Sequence, residues 1–135
     1  MRITICGPQR ENAVKKVEKV LGVNSISPIY PGMENDNYKL FSYAADTFKH
    51  FPDKQSNYNV VFDGGVFDEF VFYVDEGWTD LQEQVIISAI QNVDYVIVIT
   101  AGMDEKSIKF CQSFAEMFPK KLLLTDNPDA DFNFR

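Results

Sequence analysis

Two short stretches of this chain hold the residue types that perform chemistry. The first is Gly7-Pro8-Gln9-Arg10-Glu11-Asn12, a glycine turn between an apolar run and a helical pattern. Backbone N–H groups at a strand-to-helix turn attract anions, and the helix dipole adds to the effect. Gly7, Gln9, Arg10 and Asn12 are therefore the candidate nucleotide- or anion-binding residues. For Arg10 the commoner outcome is a surface arginine paired with Glu11. The second stretch carries Asp63, Asp68, Glu69, Asp75 and Glu76. Carboxylate pairs do acid–base work, although at this density they more often form a solvated helix face. Asp63, at the end of an apolar run, is the fallback catalytic residue. Cys6 and Cys111 lie inside apolar segments and His50 is the lone histidine, so two buried thiols in a reducing cytoplasm are expected, with no metal and no cofactor.

These residues need elements to position them. Residues 3–6 form a short β-branched run ending at Gly7-Pro8, which predicts a buried strand meeting a turn. Ala13, Val14, Val17, Val20 and Leu21 recur at helical spacing over residues 12–21, and Gly22 stops that helix. A second strand is expected over 23–30, weakened by Pro28, and a helix over 36–51 ending before Pro52. Residues 59–62 predict a third strand, broken by Asp63-Gly64-Gly65, and residues 66–74 a helix. Leu81, Val85, Ile86, Ala89 and Ile90 mark the next helix, with Thr79 or Asp80 as its cap. The run over 95–100 is apolar on both faces, as a parallel strand covered from both sides requires. A helix around residues 108–118, a strand over 121–125 and an acidic tail over 126–135 complete the chain. The alternation predicts one α/β domain over residues 1–125: three layers, a mostly parallel sheet of about five strands, and helices on both faces. Ligands in such sheets bind beyond the carboxyl ends of the strands. Residues 7–12 and 63–65 fall there.

Composition bounds the partners. The 135 residues are 45% hydrophobic and 24% charged, which excludes collagen-like and wholly disordered chains. No apolar run reaches the roughly 18 residues of a membrane span, and residues 3–6 are too short for a signal peptide. With 20 acidic against 13 basic residues the net charge is −7, which disfavours nucleic acid and allows a basic protein partner.

The segment Ile3-Thr4-Ile5-Cys6-Gly7-Pro8-Gln9 followed by a helix resembles the start of a P-loop nucleotide kinase. The segment from Val60 through Asp63-Gly64-Gly65 to Phe72 is similar to the strand-Asp-Arg-helix segment of thymidylate-kinase-like enzymes and their small phage-encoded relatives. The resemblance covers nearly the whole chain through element order and implies a phosphate-binding loop at residues 7–12. The working loop reads G-x-x-x-x-G-K-[ST]. Here Asn12, Ala13 and Val14 stand where the glycine, lysine and hydroxyl belong, and Glu11 adds a like charge. Asn12 could keep the loop's shape if it took a left-handed conformation. Gly64 replaces the arginine after Asp63, and the arginine-bearing lid has no counterpart. Phosphoryl transfer is mostly positioning and charge neutralisation, and each lost group costs about 3 kcal/mol. The balance falls against catalysis.

Phe67, Phe70, Phe72, Tyr73 and Trp78 fall within a dozen residues, too many for one helix to bury, so they form a candidate partner-binding patch. Filling of the volume under a shrunken lid weighs equally. The first expectation is a catalytically inactive kinase-like protein that acts by binding another protein in the cytoplasm, a host factor if the gene is viral. The alternatives are a non-hydrolysing sensor that binds nucleotide weakly through residues 7–12, and a nucleoside-directed enzyme using Asp63. The last also rests on a Gly7-Pro8 opening that resembles nucleoside deoxyribosyltransferase-like folds.

Overall fold

The β-branched run at the start becomes β1 (Arg2–Cys6), and Gly7 ends it. The computed structural model describes residues 1–27, 59–65, 67–68 and 80–134. Within them β1 is followed by α1 (Glu11–Leu21), β2 (Val60–Asp63), α2 (Asp80–Gln91), β3 (Tyr95–Ile99), α3 (Glu105–Met117) and β4 (Leu122–Thr125). The four strands form one all-parallel sheet in the order β2-β1-β3-β4. β1 is therefore central, with the loop after it flanked by the ends of β2 and β3.

Side chains alternate across the sheet, so one apolar run serves two cores. Ile3, Ile5, Val61, Ile97 and Ile99 face Ala13, Val14 and Val17 of α1. On the opposite face Cys6, Phe62, Val96 and Val98 meet Ile86, Ala89 and Ile90 of α2 and Cys111 and Phe114 of α3. Three layers result. The continuous apolar strand over 95–99 is explained by this double burial.

Several elements depart from expectation. Of the strand expected over 23–30, the described part makes one parallel bridge, Ile26 to Phe62, with the Ile26 N–H donating to the Val61 carbonyl at 2.8 Å. The sheet of the described residues thus has four strands plus this bridge, rather than about five. Residues 28–30 of that expectation lie outside the described residues. Val20, expected on the apolar face of α1, is 61% exposed, because that face is narrow enough to be filled by Ala13, Val14 and Val17. The helix expected over 36–51 and residues 66 and 69–74 of the one expected over 66–74 lie outside the described residues, while 67–68 are helical.

The acidic stretch after β4 is laid back on the α1 side. Asn12 Nδ2 donates to Asp129 at 2.8 Å, and Lys16 Nζ reaches the Asp129 carbonyl and pairs with Asp131 at 3.1 Å. Phe134 packs on Tyr95, ring centres 5.3 Å apart, and Phe132 stacks on Phe134.

Candidate functional site

Two glycine turns stand side by side above β1 and β2. Gly7 has φ +117°, and any side chain there would drive its Cβ into the Ile99 carbonyl oxygen. Only glycine takes this conformation without strain. The turn is short: α1 already begins at Glu11, one residue before Asn12. Asn12 accordingly sits inside the helix, no described non-glycine residue has positive φ, and the left-handed conformation by which Asn12 could have kept the loop's shape is not adopted. On the β2 side, Gly64 has φ +92° and donates its N–H to the Ile5 carbonyl at 2.8 Å, binding the two turns together.

Arg10 joins them through its side chain. It is the N-cap of α1 but makes no side-chain cap bond. Its guanidinium instead donates through Nε to Asp63 at 2.7 Å, and through Nη1 to the Gly7 carbonyl at 3.0 Å and Asp68 at 3.3 Å. Burial works against the cation, yet the hydrogen bond to Asp63 and the charges of Asp68 and Asp63 outweigh it and raise Arg10 above its ordinary range. The expected pairing with Glu11 does not form; Glu11 pairs with Lys15 one helical turn on, at 3.2 Å. A partner with the planar geometry to accept from the guanidinium at half-buried depth wins over an exposed neighbour. The guanidinium also lies over Gly64, its Nη2 3.1 Å from where a Cβ there would stand. The second segment, which lacks an arginine at position 64, thereby has one beside Asp63 from the other loop.

Asp68, in the sequence one carboxylate among five in its stretch, is the hub of the cluster. Its Oδ1 accepts from Gly7 N–H at 2.8 Å and its Oδ2 from Gly65 N–H at 2.8 Å. Burial first and then the Asp68 charge push the Cys6 thiol well above its ordinary range. Asp68 stands three residues after Gly65 at the start of a helical turn, which is the carboxylate position of a capping box. An acidic residue three positions beyond a Gly-Gly turn was the signal available in the sequence.

The remaining candidates separate from this cluster. Gln9 packs over Gly102 in the loop after β3, and Asn12 is held by Asp129. Phe67 is no surface residue: it is 1% exposed, with edge contacts to Phe110 and Phe114 at 6.2 and 5.8 Å. A ring this large at the start of the turn fills the gap between β2 and α3. Phe70, Phe72, Tyr73 and Trp78 lie outside the described residues, as do Glu69, Asp75 and Glu76. Among the described residues no group of His, Cys, Asp and Glu is arranged to hold a metal, and no helix is long and apolar enough to cross a membrane.

Beside the cluster, a groove of about 400 Å³ runs along Arg10, Asp63, Glu11, Lys15, Glu18 and Ser25. Its charges are largely engaged within the wall: Lys15 with Glu11, Arg10 with Asp63, and Glu18 accepting from Ser25 N–H at 2.7 Å. Chemically, the arrangement can orient a carboxylate, Asp63, at the rim of the groove. No protein-family model, curated protein or solved structure matches the chain.

Proposed function

We propose that this chain is a nucleotide-kinase-like scaffold without phosphotransfer chemistry, acting by binding a protein. One observation carries the reading. The donors that would meet a phosphate in the turn after β1, the Gly7 N–H and the Arg10 guanidinium, are already bonded to Asp68 and Asp63 of the same chain. The strand–loop–helix order of β1 and α1 supports the kinase-like part. Its loss of chemistry is supported by Ala13 and Val14, which occupy the lysine and hydroxyl positions and are both buried in the core, 0% and 4% exposed. The protein partner is argued from the net charge of −7, which suits a basic surface.

The test is thermal unfolding with nucleoside mono-, di- and triphosphates, with and without magnesium, alongside an assay for phosphate transfer. A ligand at a hundred times its Kd adds about 2.7 kcal/mol, which moves the midpoint of a domain of this size by roughly ten degrees. The expected panel is flat and the transfer assay blank; a shift of that size favours the nucleotide sensor instead. Affinity capture at low and high salt tests the other half, with a salt-sensitive protein partner expected and none at either salt counting against it. The Asp63 enzyme reading is favoured by one feature, the half-exposed carboxylate oriented by Arg10 at the rim of the groove. It requires a nucleoside-derived product that disappears in Asp63→Asn.

A further inference from the structure

Beyond Thr125, where the pairing of β3 with β4 ends, residues 126–134 form an arm that carries no helix or strand and of which no residue is buried. The chain turns over residues 127–130, where Asn127 Oδ1 accepts Asp129 N–H at 3.0 Å and the Asn127 carbonyl accepts Ala130 N–H at 3.2 Å. The arm then lies on the α1 side of the sheet, fastened there by side chains. Acids come first: Asn12 Nδ2 donates to Asp129 at 2.8 Å, and Lys16 Nζ reaches the Asp129 carbonyl and pairs with Asp131 at 3.1 Å. Rings follow, with Phe132 and Phe134 packed on the α1 core and Phe134 against Tyr95. Asn12 and Lys16 stand 113 to 117 residues from the acids they hold. The seat therefore makes no use of the arm's attachment to its own β4.

We propose that this flank of α1 and β3 is a docking site for an acidic, phenylalanine-bearing segment, and that the segment it takes in trans is the same arm of a second copy of the chain. Two copies that exchange arms about the turn at 127–130 regain these contacts, so concentration decides between the closed monomer and the exchanged dimer. The chain's own arm competes at an effective concentration on the order of millimolar. Dilute protein is therefore monomeric, and copies brought close together exchange. The clasp is a surface ion pair, its side chains 37% and 95% exposed, so salt weakens the exchange. The inference is independent of the proposed function, since the occupant is another copy of this chain.

Charge reversal tests it. Lys16→Asp and Asp131→Lys, made in separate chains, each set like charges against each other within one copy; when the two are mixed, each arm meets an opposite charge only on the other copy. Sedimentation velocity at micromolar concentration is expected to show each variant alone as a monomer and the mixture as a heterodimer that dissociates at high salt. Adding Phe132→Ser and Phe134→Ser to both chains is expected to abolish the heterodimer. A mixture that stays monomeric overturns the proposal, and so does a heterodimer that survives loss of the rings, because charge alone would then join the copies. A second readout uses the synthetic peptide of residues 126–135, expected to bind Asp131→Lys at least tenfold more tightly than wild type, whose own arm competes. Equal binding to the two overturns the proposal. If circular dichroism shows either reversal to be unfolded, the wild-type chain decides: a dimer is expected as its concentration rises to about millimolar, and a monomer throughout overturns the exchange.

Discussion

At Arg10 one guanidinium meets two carboxylates and a carbonyl, and the two turns above β1 and β2 share it. Its side chain is 30% exposed and that of Asp63 37%, so solvent screens the pair and its worth is modest. What a truncation adds is the cost of leaving the less exposed Asp68 short of a donor. Arg10→Gln is therefore expected to lower stability by about 1–2 kcal/mol in urea unfolding, and Arg10→Lys to recover less than half, because a point charge cannot serve both carboxylates. The thiols give a second expectation at this scale. Burial, followed by the Asp68 charge, pushes Cys111 up to about 12, and Cys6 is raised as well. Unfolded thiols ionise near pH 8.5, so above that pH the unfolded state binds fewer protons than the folded one. The stability the neutral thiols contribute is complete below that pH and is lost as pH rises towards 12, at about 1.4 kcal/mol per unit for Cys111 alone. Cys111→Ala should flatten that decline in denaturation measured from pH 8 to 11.

At the scale of elements, α1 and α3 contrast in how they begin. α3 starts at Asp104, whose carboxylate accepts Ser107 N–H at 2.8 Å and lies below its ordinary range because of the hydrogen bonds from Ser107. This is the standard cap geometry. Asp104→Ala is expected to be less stable than wild type at pH 7, with the gap closing as pH falls below about 4. A gap that stays constant down to pH 2 would mean that the carboxylate's charge is not what caps the helix. α1 has no such cap, since its N-cap residue sends its side chain across to β2. Helix α1 is held by burial of Ala13, Val14 and Val17 and by Gly22, whose left-handed φ of 70° lets its N–H close on the Glu18 carbonyl.

At the scale of the whole molecule, the described residues cover the two cores on the sheet unequally. Among the described residues the α2 and α3 side carries two helices; the α1 side carries one, and Phe132 and Phe134 also pack there. Truncation after Asn127 removes both rings together with the Asp129 and Asp131 contacts to α1. It is expected to cost about 2 kcal/mol from the apolar area uncovered around Tyr95, read as a lower urea midpoint. An unchanged midpoint would mean that the segment does not pack in solution.

Much of this architecture is legible in the residues. Apolar runs over 3–6, 59–62 and 95–100 place β1, β2 and β3 to within a residue or two, and Gly22 marks the end of α1, because periodicity and glycine are local properties of a chain. Gly7, Arg10 and Asp63 were likewise recognisable as a pair of strand-end loops. The sequence alone determined that the protein is an α/β chain with its chemistry-bearing residues at the carboxyl ends of the strands. Tertiary structure decided which of them meet. Arg10 is separated from Asp63 by 53 residues and from Asp68 by 58, and only the parallel pairing of β1 with β2 brings those loops together. It also decided that Phe67 is core rather than surface and that Asp68 accepts from both glycine turns, since burial and hydrogen-bond partners depend on neighbours distant in sequence.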